Sequence, residues 1–69
     1  MDKANFVKKH LEPMLKAIDE DVVSADYIRE ETADYEFVEI AFSDGFMRRV
    51  NVSFDSCLAL ARDVLKSMD

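Results

Sequence analysis

The chain contains few of the residues that cross-link or interrupt a fold: one cysteine, one glycine, one proline and no tryptophan. A single cysteine, Cys57, excludes an internal disulfide, and secreted domains of this size usually depend on such bridges. We therefore expect a reducing, cytoplasmic setting. The scarcity of glycine and proline predicts few irregular loops.

Long apolar runs are also missing. No segment approaches the ~20 consecutive apolar residues that a membrane-spanning helix needs. The residues after Met1, "DKANFVKKH", lack the apolar centre of a signal peptide. We expect no membrane association. With 69 residues, the sequence predicts one small domain, 1–69, whose core has room for only two layers.

Positive charge is scarce in the middle of the sequence. Ten acidic residues lie between Asp19 and Asp44, where Arg29 is the only cation, so this segment carries −9 while the whole chain carries −6. Phosphate repulsion would oppose nucleic-acid binding, and we expect no direct contact with nucleic acid. The acidic segment is interpreted either as a solubilising surface or as a functional one.

Apolar residues that recur every three or four positions predict a helix over 2–19. Asp2 is its candidate N-cap. Pro13 predicts a kink or break near Lys9 to Pro13, because proline removes a helical hydrogen bond. A second helix is predicted in "FDSCLALARDVLKSMD", with Ser53 or Asp55 as its cap. The apolar stripe of this second helix consists of Cys57, Leu60, Ala61, Val64 and Met68, with Leu65 at its edge.

Three strands are predicted between the helices, over residues 22–30, 35–42 and 46–52. The first two are joined by the loop "ETAD", residues 31–34. The second and third are joined by a three-residue turn, Ser43-Asp44-Gly45, with glycine in the left-handed region. This turn pairs Glu39 with Arg49 and matches apolar residues with each other across the hairpin.

The predicted fold class is α+β with the order α-β-β-β-α, a three-stranded antiparallel meander with two helices packed on one face. The predicted core contains Phe6 or Val7, Leu11, Leu15, Ile18, Val38, Ile40, Phe42, Val50, Leu60, Val64 and Met68. The same face of the sheet is expected to carry Val23, Ala25, Tyr27, Phe46 and Val52.

The opposite face of the predicted sheet has no segment left to cover it. Glu39 and Arg49 lie among its apolar residues, and we expect those residues to be adjacent and substantially exposed. A contiguous apolar patch on a small protein is typical of an interface. Two alternatives stay open: half of the first helix wraps onto this face, or long side chains such as Arg29 and Arg49 lie across it. The predicted partner-binding residues are Ile28, Tyr35, Phe37, Ala41, Met47, Glu39 and Arg49.

The residues that carry catalytic chemistry are sparse. Cys57 and His10 are the only thiol and the only imidazole, and the position of Cys57 on an apolar stripe predicts a buried structural cysteine. The acidic residues lack the spacing of a calcium loop, and one Cys and one His are too few for an ordinary zinc site. We expect no catalytic residue, metal, cofactor or small-molecule substrate, and hence no enzyme.

The predicted element order resembles that of double-stranded-RNA-binding domains. In that family a lysine cluster opens the last helix and contacts phosphates. Here the corresponding stretch reads "SFDSCLALAR", with Asp55 and no lysine. The resemblance therefore covers element order and length alone, and it assigns no site residue to this chain.

The sequence favours a non-catalytic interaction protein that uses its uncovered sheet face for a protein partner or for self-association. The alternative function is that of an acidic mimic of nucleic acid, in which the Asp19 to Asp44 segment occupies the basic groove of a nucleic-acid-binding enzyme. Small acidic α+β proteins of this outline occur among phage and mobile-element products, some of which inhibit such enzymes. Binding through apolar contact would depend weakly on salt, whereas charge mimicry would weaken steeply as salt rises.

Overall fold

The computed structural model describes residues 2–32 and 34–68. Its elements follow the predicted α-β-β-β-α order and form an α+β fold. The first helix comprises α1, a π-helical turn and α2, which follow one another without a gap and are here called the N-terminal helix. The element bounds are α1 Lys3–Phe6, the π-helical turn Val7–Leu11, α2 Glu12–Ile18, β1 Val22–Glu30, β2 Tyr35–Phe42, β3 Met47–Asn51 and α3 Cys57–Ser67.

The N-terminal helix begins and bends where the sequence predicts. The Asp2 carboxylate caps it by accepting a hydrogen bond from the Asn5 N–H at 2.8 Å. The π-helical turn directly precedes Pro13, and within it the Glu12 N–H bonds to the Val7 carbonyl instead of the usual partner one residue closer. The wider turn lets the chain pass the proline, which has no N–H to donate.

The sheet is an antiparallel meander in the order β1-β2-β3. The predicted β2–β3 register is confirmed, because Val38 pairs with Val50 and Glu39 pairs with Arg49. At the turn, the Gly45 N–H bonds to the Phe42 carbonyl at 3.0 Å. Gly45 has φ +90°, which glycine adopts without strain.

The first hairpin differs from prediction at one end. Glu30 pairs with Tyr35, as a four-residue loop over 31–34 requires; Ala33 of that loop lies outside the described residues. At the other end a β-bulge falls between Val22 and Ser24. Val22 is therefore buried and Val23 is 52% exposed, so the predicted position of Val23 on the core face is wrong. A bulge sets two residues opposite one and shifts which side chain points inward.

The core lies between one face of the sheet and both helices, as predicted. Its fully buried side chains include Val7, Leu11 and Leu15 from the N-terminal helix and Leu60 and Val64 from α3. The sheet contributes Val22, Ala25, Val38 and Ile40, and Val52 follows directly after β3. The predicted members Phe42, Val50 and Met68 are partly buried against this cluster, as are Phe6 and Tyr27.

Two residues expected on the core side are exposed. Ile18 retains 59% of its exposure, because it lies at the last position of α2, where the N-terminal helix leaves the sheet. Phe46 retains 55%, because it lies at the tip of the β2–β3 hairpin, where its ring contacts Phe42 at a centroid distance of 5.9 Å.

Helix α3 begins later than the sequence suggested. Ser56 is its N-cap, accepting a hydrogen bond from the Ala59 N–H at 3.2 Å, so the predicted caps Ser53 and Asp55 are wrong. The Ser53 hydroxyl instead accepts the Glu36 N–H at 3.0 Å and thereby ties the β3–α3 connection to β2. Within the described part of the chain, no helix is both long enough and apolar enough to cross a membrane.

Candidate functional site

The uncovered side of the sheet is here called the open face. It lies opposite the helices, since the buried helical side chains contact the other side of the sheet. Ile28 and Phe37 are direct cross-strand neighbours on it, as predicted, and Ala41 pairs with Met47 further along. The open face is formed by Asp26, Ile28, Glu30, Tyr35, Phe37, Glu39, Ala41, Met47, Arg49 and Asn51.

Phe37 is only 4% exposed, which corrects the expectation that it would stand open to solvent. Its ring lies 5.2 Å from the Tyr35 ring and beneath the Arg49 guanidinium, which is 4.9 Å from the ring centroid. Glu39 holds that guanidinium by an ion pair of 2.9 Å. The predicted Glu39–Arg49 pair is therefore present, and it covers Phe37 by a cation–π contact.

Met47 is the most exposed apolar side chain of the open face, at 49%. Ile28, Tyr35 and Ala41 are partly buried around it and around Phe37. Arg29 was the other side chain considered to lie across the open face. It lies instead beside a groove on the helix side of the sheet, with Lys3 and Tyr27. The open face is thus a small apolar surface that a single arginine covers in part.

Acidic groups dominate the rim of the open face. Asp26 lies 2.9 Å from Lys8, which reaches it from the N-terminal helix. Glu30 is exposed at the end of β1 and forms no ion pair with the described residues. The one cation of this face, Arg49, is already engaged by Glu39. A partner would therefore meet an apolar centre whose rim has two internally paired carboxylates and a small net negative charge at Glu30.

A polar cluster, which was not predicted from the sequence, lies on the helix side of the β1–β2 hairpin. The Glu36 carboxylate accepts hydrogen bonds from Lys3 at 2.7 Å, from the Tyr27 hydroxyl, and from the Phe54 N–H at 3.2 Å. The hydrogen bonds from Lys3 and then Tyr27 lower the pKa of Glu36 to about 2. Burial and the bond to Glu36 raise the pKa of Tyr27 to about 12.

The Glu36 cluster is structural in character. A carboxylate whose pKa is that low is a weak general base near neutral pH. Its partners come from α1, from β1 and from the segment before α3, so it joins three parts of the chain. One feature of the sequence could have indicated this cluster. Glu36 is the only acidic residue among the core-facing positions of β2, and Lys3 begins the N-terminal helix.

A second apolar surface lies between the end of α2 and the outer side of α3, and we call it the α2–α3 groove. It measures about 590 Å3. Leu58, 78% exposed, and Ile18, 59% exposed, form its two lips. It is lined by Ile18, Leu58, Ala61, Leu65 and Met68, with the cations Arg62 and Lys66 along one side. Ile18 was predicted to lie in the core, and its exposure at the end of α2 is what opens this groove.

The remaining reactive groups do not meet in one site. His10 is exposed and packs against Phe6, with 5.9 Å between ring centroids. Cys57, predicted to be a buried structural cysteine, is the first residue of α3 and is only partly buried. Across residues 2–32 and 34–68, no group of three or more His, Cys, Asp or Glu side chains is arranged to hold a metal ion.

Comparison of the chain with protein-family models, with curated proteins and with solved structures found no match. The open face and the α2–α3 groove are therefore the two features of the molecule that bear on its function.

Proposed function

We propose that this chain is a non-catalytic interaction protein that binds another protein through the open face. The observation that supports this proposal is the half-exposed Met47 beside a cluster of partly buried apolar side chains, on a side of the sheet that neither helix covers. Exposed apolar clusters with a polar rim are typical of protein interfaces. The geometry therefore favours recognition rather than chemistry.

The charge of the open face defines the partner. Asp26 and Glu39 are paired with Lys8 and Arg49 of their own chain, so the net negative charge around the apolar centre comes from Glu30. If two open faces met across a two-fold axis, the acidic rims would lie opposite each other. The favoured partner is therefore an apolar protein surface with a basic rim, because opposite charges at a rim raise the association rate and suppress wrong partners.

Mimicry of nucleic acid is less well supported by the arrangement of the acidic residues. Glu20, Asp21 and Asp44 lie near one end of β1, and the Asp21 carbonyl accepts the Ser43 N–H at 2.8 Å there. Glu30 and Glu31 lie at the other end, about 26 Å away along a nine-residue strand. Between them, Asp26 is neutralised by Lys8. A continuous row of phosphate-like charges is not formed along this strand.

The proposal is tested with a purified partner. Proteins captured from the native host by the immobilised chain are identified and expressed, and their binding is then measured by calorimetry. Met47→Gln should weaken binding at least ~10-fold, since it removes apolar contact at the centre of the interface. Phe54→Asn is the matched control, because Phe54 is 88% exposed yet lies outside the open face.

Two outcomes would contradict the proposal. One is binding that Met47→Gln leaves unchanged. The other is binding that Glu20→Gln and Asp21→Asn abolish and that weakens steeply with salt, which would favour the nucleic-acid mimic.

A further inference from the structure

The α2–α3 groove has the chemistry that the open face requires of a partner. Its centre is apolar, with Ile18 and Leu58 exposed at its lips. Arg62 and Lys66, one helical turn apart on α3, line one side. Neither cation forms an ion pair with any residue from 2–32 or 34–68. The groove is therefore an apolar surface with a basic rim.

We propose that the open face of one copy of this chain docks into the α2–α3 groove of a second copy. This inference rests on the proposed function, since it uses the open face as an interface and names what fills it. Met47 would enter the apolar groove, while the acidic side of the open face, where Glu30 has no ion pair among the described residues, would face Arg62 and Lys66. Opposite charges at the rim would guide the encounter and fix its orientation.

A symmetric contact between two grooves is disfavoured by the same charges. A two-fold axis brings identical patches together, so two copies of Arg62 and Lys66 would collect at one interface. A heterologous contact, in which the groove meets the open face, removes this repulsion and the corresponding repulsion between two acidic open faces.

The two surfaces lie on opposite sides of the molecule, because the open face and α3 are separated by the sheet and the core. Each copy would therefore keep one free surface after the first contact. Heterologous contacts of this kind extend into rings or open chains of subunits. The structure consequently predicts association that continues beyond a dimer as concentration rises.

The expected association is weak. A standard interface uses about 800 Å2 of each partner, and this protein exposes 4467 Å2 in total. Two such surfaces would take more than a third of it, so we expect contacts at the low end of the size range. Such interfaces are transient, and dissociation constants in roughly the micromolar range are expected.

The test uses two variants that each lose one surface. Variant A, Glu30→Gln with Met47→Gln, alters only the open face. Variant B, Leu58→Gln with Arg62→Gln, alters only the groove. Sedimentation velocity from ~10 μM to ~1 mM spans the expected range. Circular dichroism confirms that both variants fold, and Phe54→Asn again controls for the loss of an exposed apolar side chain.

The expected pattern is specific to a heterologous contact. The parent chain and Phe54→Asn should associate progressively, whereas A alone and B alone should stay monomeric. An equimolar mixture of A and B should form a 1:1 dimer that grows no further, because the groove of A can still hold the open face of B. No symmetric interface gives this result.

Three results would overturn the inference: a parent chain that stays monomeric at ~1 mM, variants that associate as the parent does, or a mixture of A and B that stays monomeric. A parent that stays monomeric while a foreign protein binds and depends on Met47 would remove the self-association alone. The proposed function would then stand.

Discussion

The Lys3 ammonium nitrogen lies 2.7 Å from the Glu36 carboxylate and joins the first turn of the N-terminal helix to the middle strand, 33 residues away in sequence. Tyr27 and the Phe54 N–H bind the same carboxylate. This arrangement keeps Glu36 ionised and holds the start of the N-terminal helix and the segment before α3 against the β1–β2 hairpin. Its effect on stability depends on pH.

We predict that acid removes the contribution of Glu36 between pH ~4.5 and ~2. Its pKa is lowered from 4.5 to about 2 in the folded chain, so the folded state favours the charged form. The stabilisation is present above the unfolded pKa and is lost as pH falls through the folded pKa. Thermal unfolding measured from pH 7 to pH 2 should show this loss.

Glu36→Gln is the variant that isolates this effect. At pH 7 it should cost about 1.5–3 kcal/mol, the range for hydrogen bonds to charged groups. In a chain of this size that is a fall of roughly 6–24 °C in Tm. The difference from the parent should shrink toward pH 2, and Glu31→Gln, at an exposed position, is the control. An equal difference at pH 7 and pH 2 would show that the Glu36 charge is not responsible.

A second prediction concerns Tyr27, whose pKa is raised to about 12 mainly by burial and then by its bond to Glu36. The folded state favours the neutral phenol, so its stabilisation is complete below the unfolded pKa of 10 and is lost as pH rises toward 12. Tyr27→Phe should remove the late phase of phenolate formation in an ultraviolet titration. It should also raise the pKa of Glu36, which loses a donor. A late phase that persists in Tyr27→Phe would assign it to another group.

Much of the fold follows from the sequence because both hairpins have strong local signals. The Ser43-Asp44-Gly45 turn and the match of Val38 with Val50 set one register, and the structure has it. The bulge was not predictable, because Val22 and Val23 are the same residue type and either one fits the core. Composition carries no information about which of two identical neighbours points inward.

The N-terminal helix shows a similar limit. Its buried residues Val7, Leu11 and Leu15 recur every four positions, a spacing that the π-helical turn accommodates. Ile18 lies only three positions beyond Leu15 and points away from the core. Apolar spacings of three and four residues do not show which of Leu15 and Ile18 is buried, unless the position of the π-helical turn is known.

The open face was predictable in position but not in exposure. Counting the segments showed that no helix remained to cover it, and the structure places both helices on the other side. Phe37 is nevertheless covered by Arg49, which lies on the diagonal of its cross-strand neighbours. The predicted Glu39–Arg49 pair was the available signal, since it places that guanidinium beside the ring.

A third prediction separates core from surface isoleucines. Ile40 is fully buried, so Ile40→Ala should cost about 2–5 kcal/mol. Ile18→Ala removes the same atoms from a residue that is 59% exposed, and should change stability by less than about 0.5 kcal/mol. Chemical denaturation measures both. Comparable losses in the two variants would mean that Ile18 packs against the core after all.

The last prediction concerns a carboxylate whose pKa shift is opposite to that of Glu36. The hydrogen bond with Asp63, followed by burial, raises the pKa of Asp55. Its Oδ2 atom is buried without a hydrogen-bond partner among the described residues. Because the folded state favours the protonated form, any stabilisation from this group is present below the unfolded pKa and is lost as pH rises through the folded pKa.

Asp55→Asn should therefore stabilise the protein at pH 7, by ~0.5 kcal/mol or roughly 2–4 °C in Tm. That gain should vanish at pH 3, where differential scanning calorimetry compares the variant with the parent. Asp63→Asn should give a similar gain and the double variant little more, since both relieve one repulsion. A fall of several degrees in Asp55→Asn at pH 7 would instead show that the start of α3 requires the charged carboxylate.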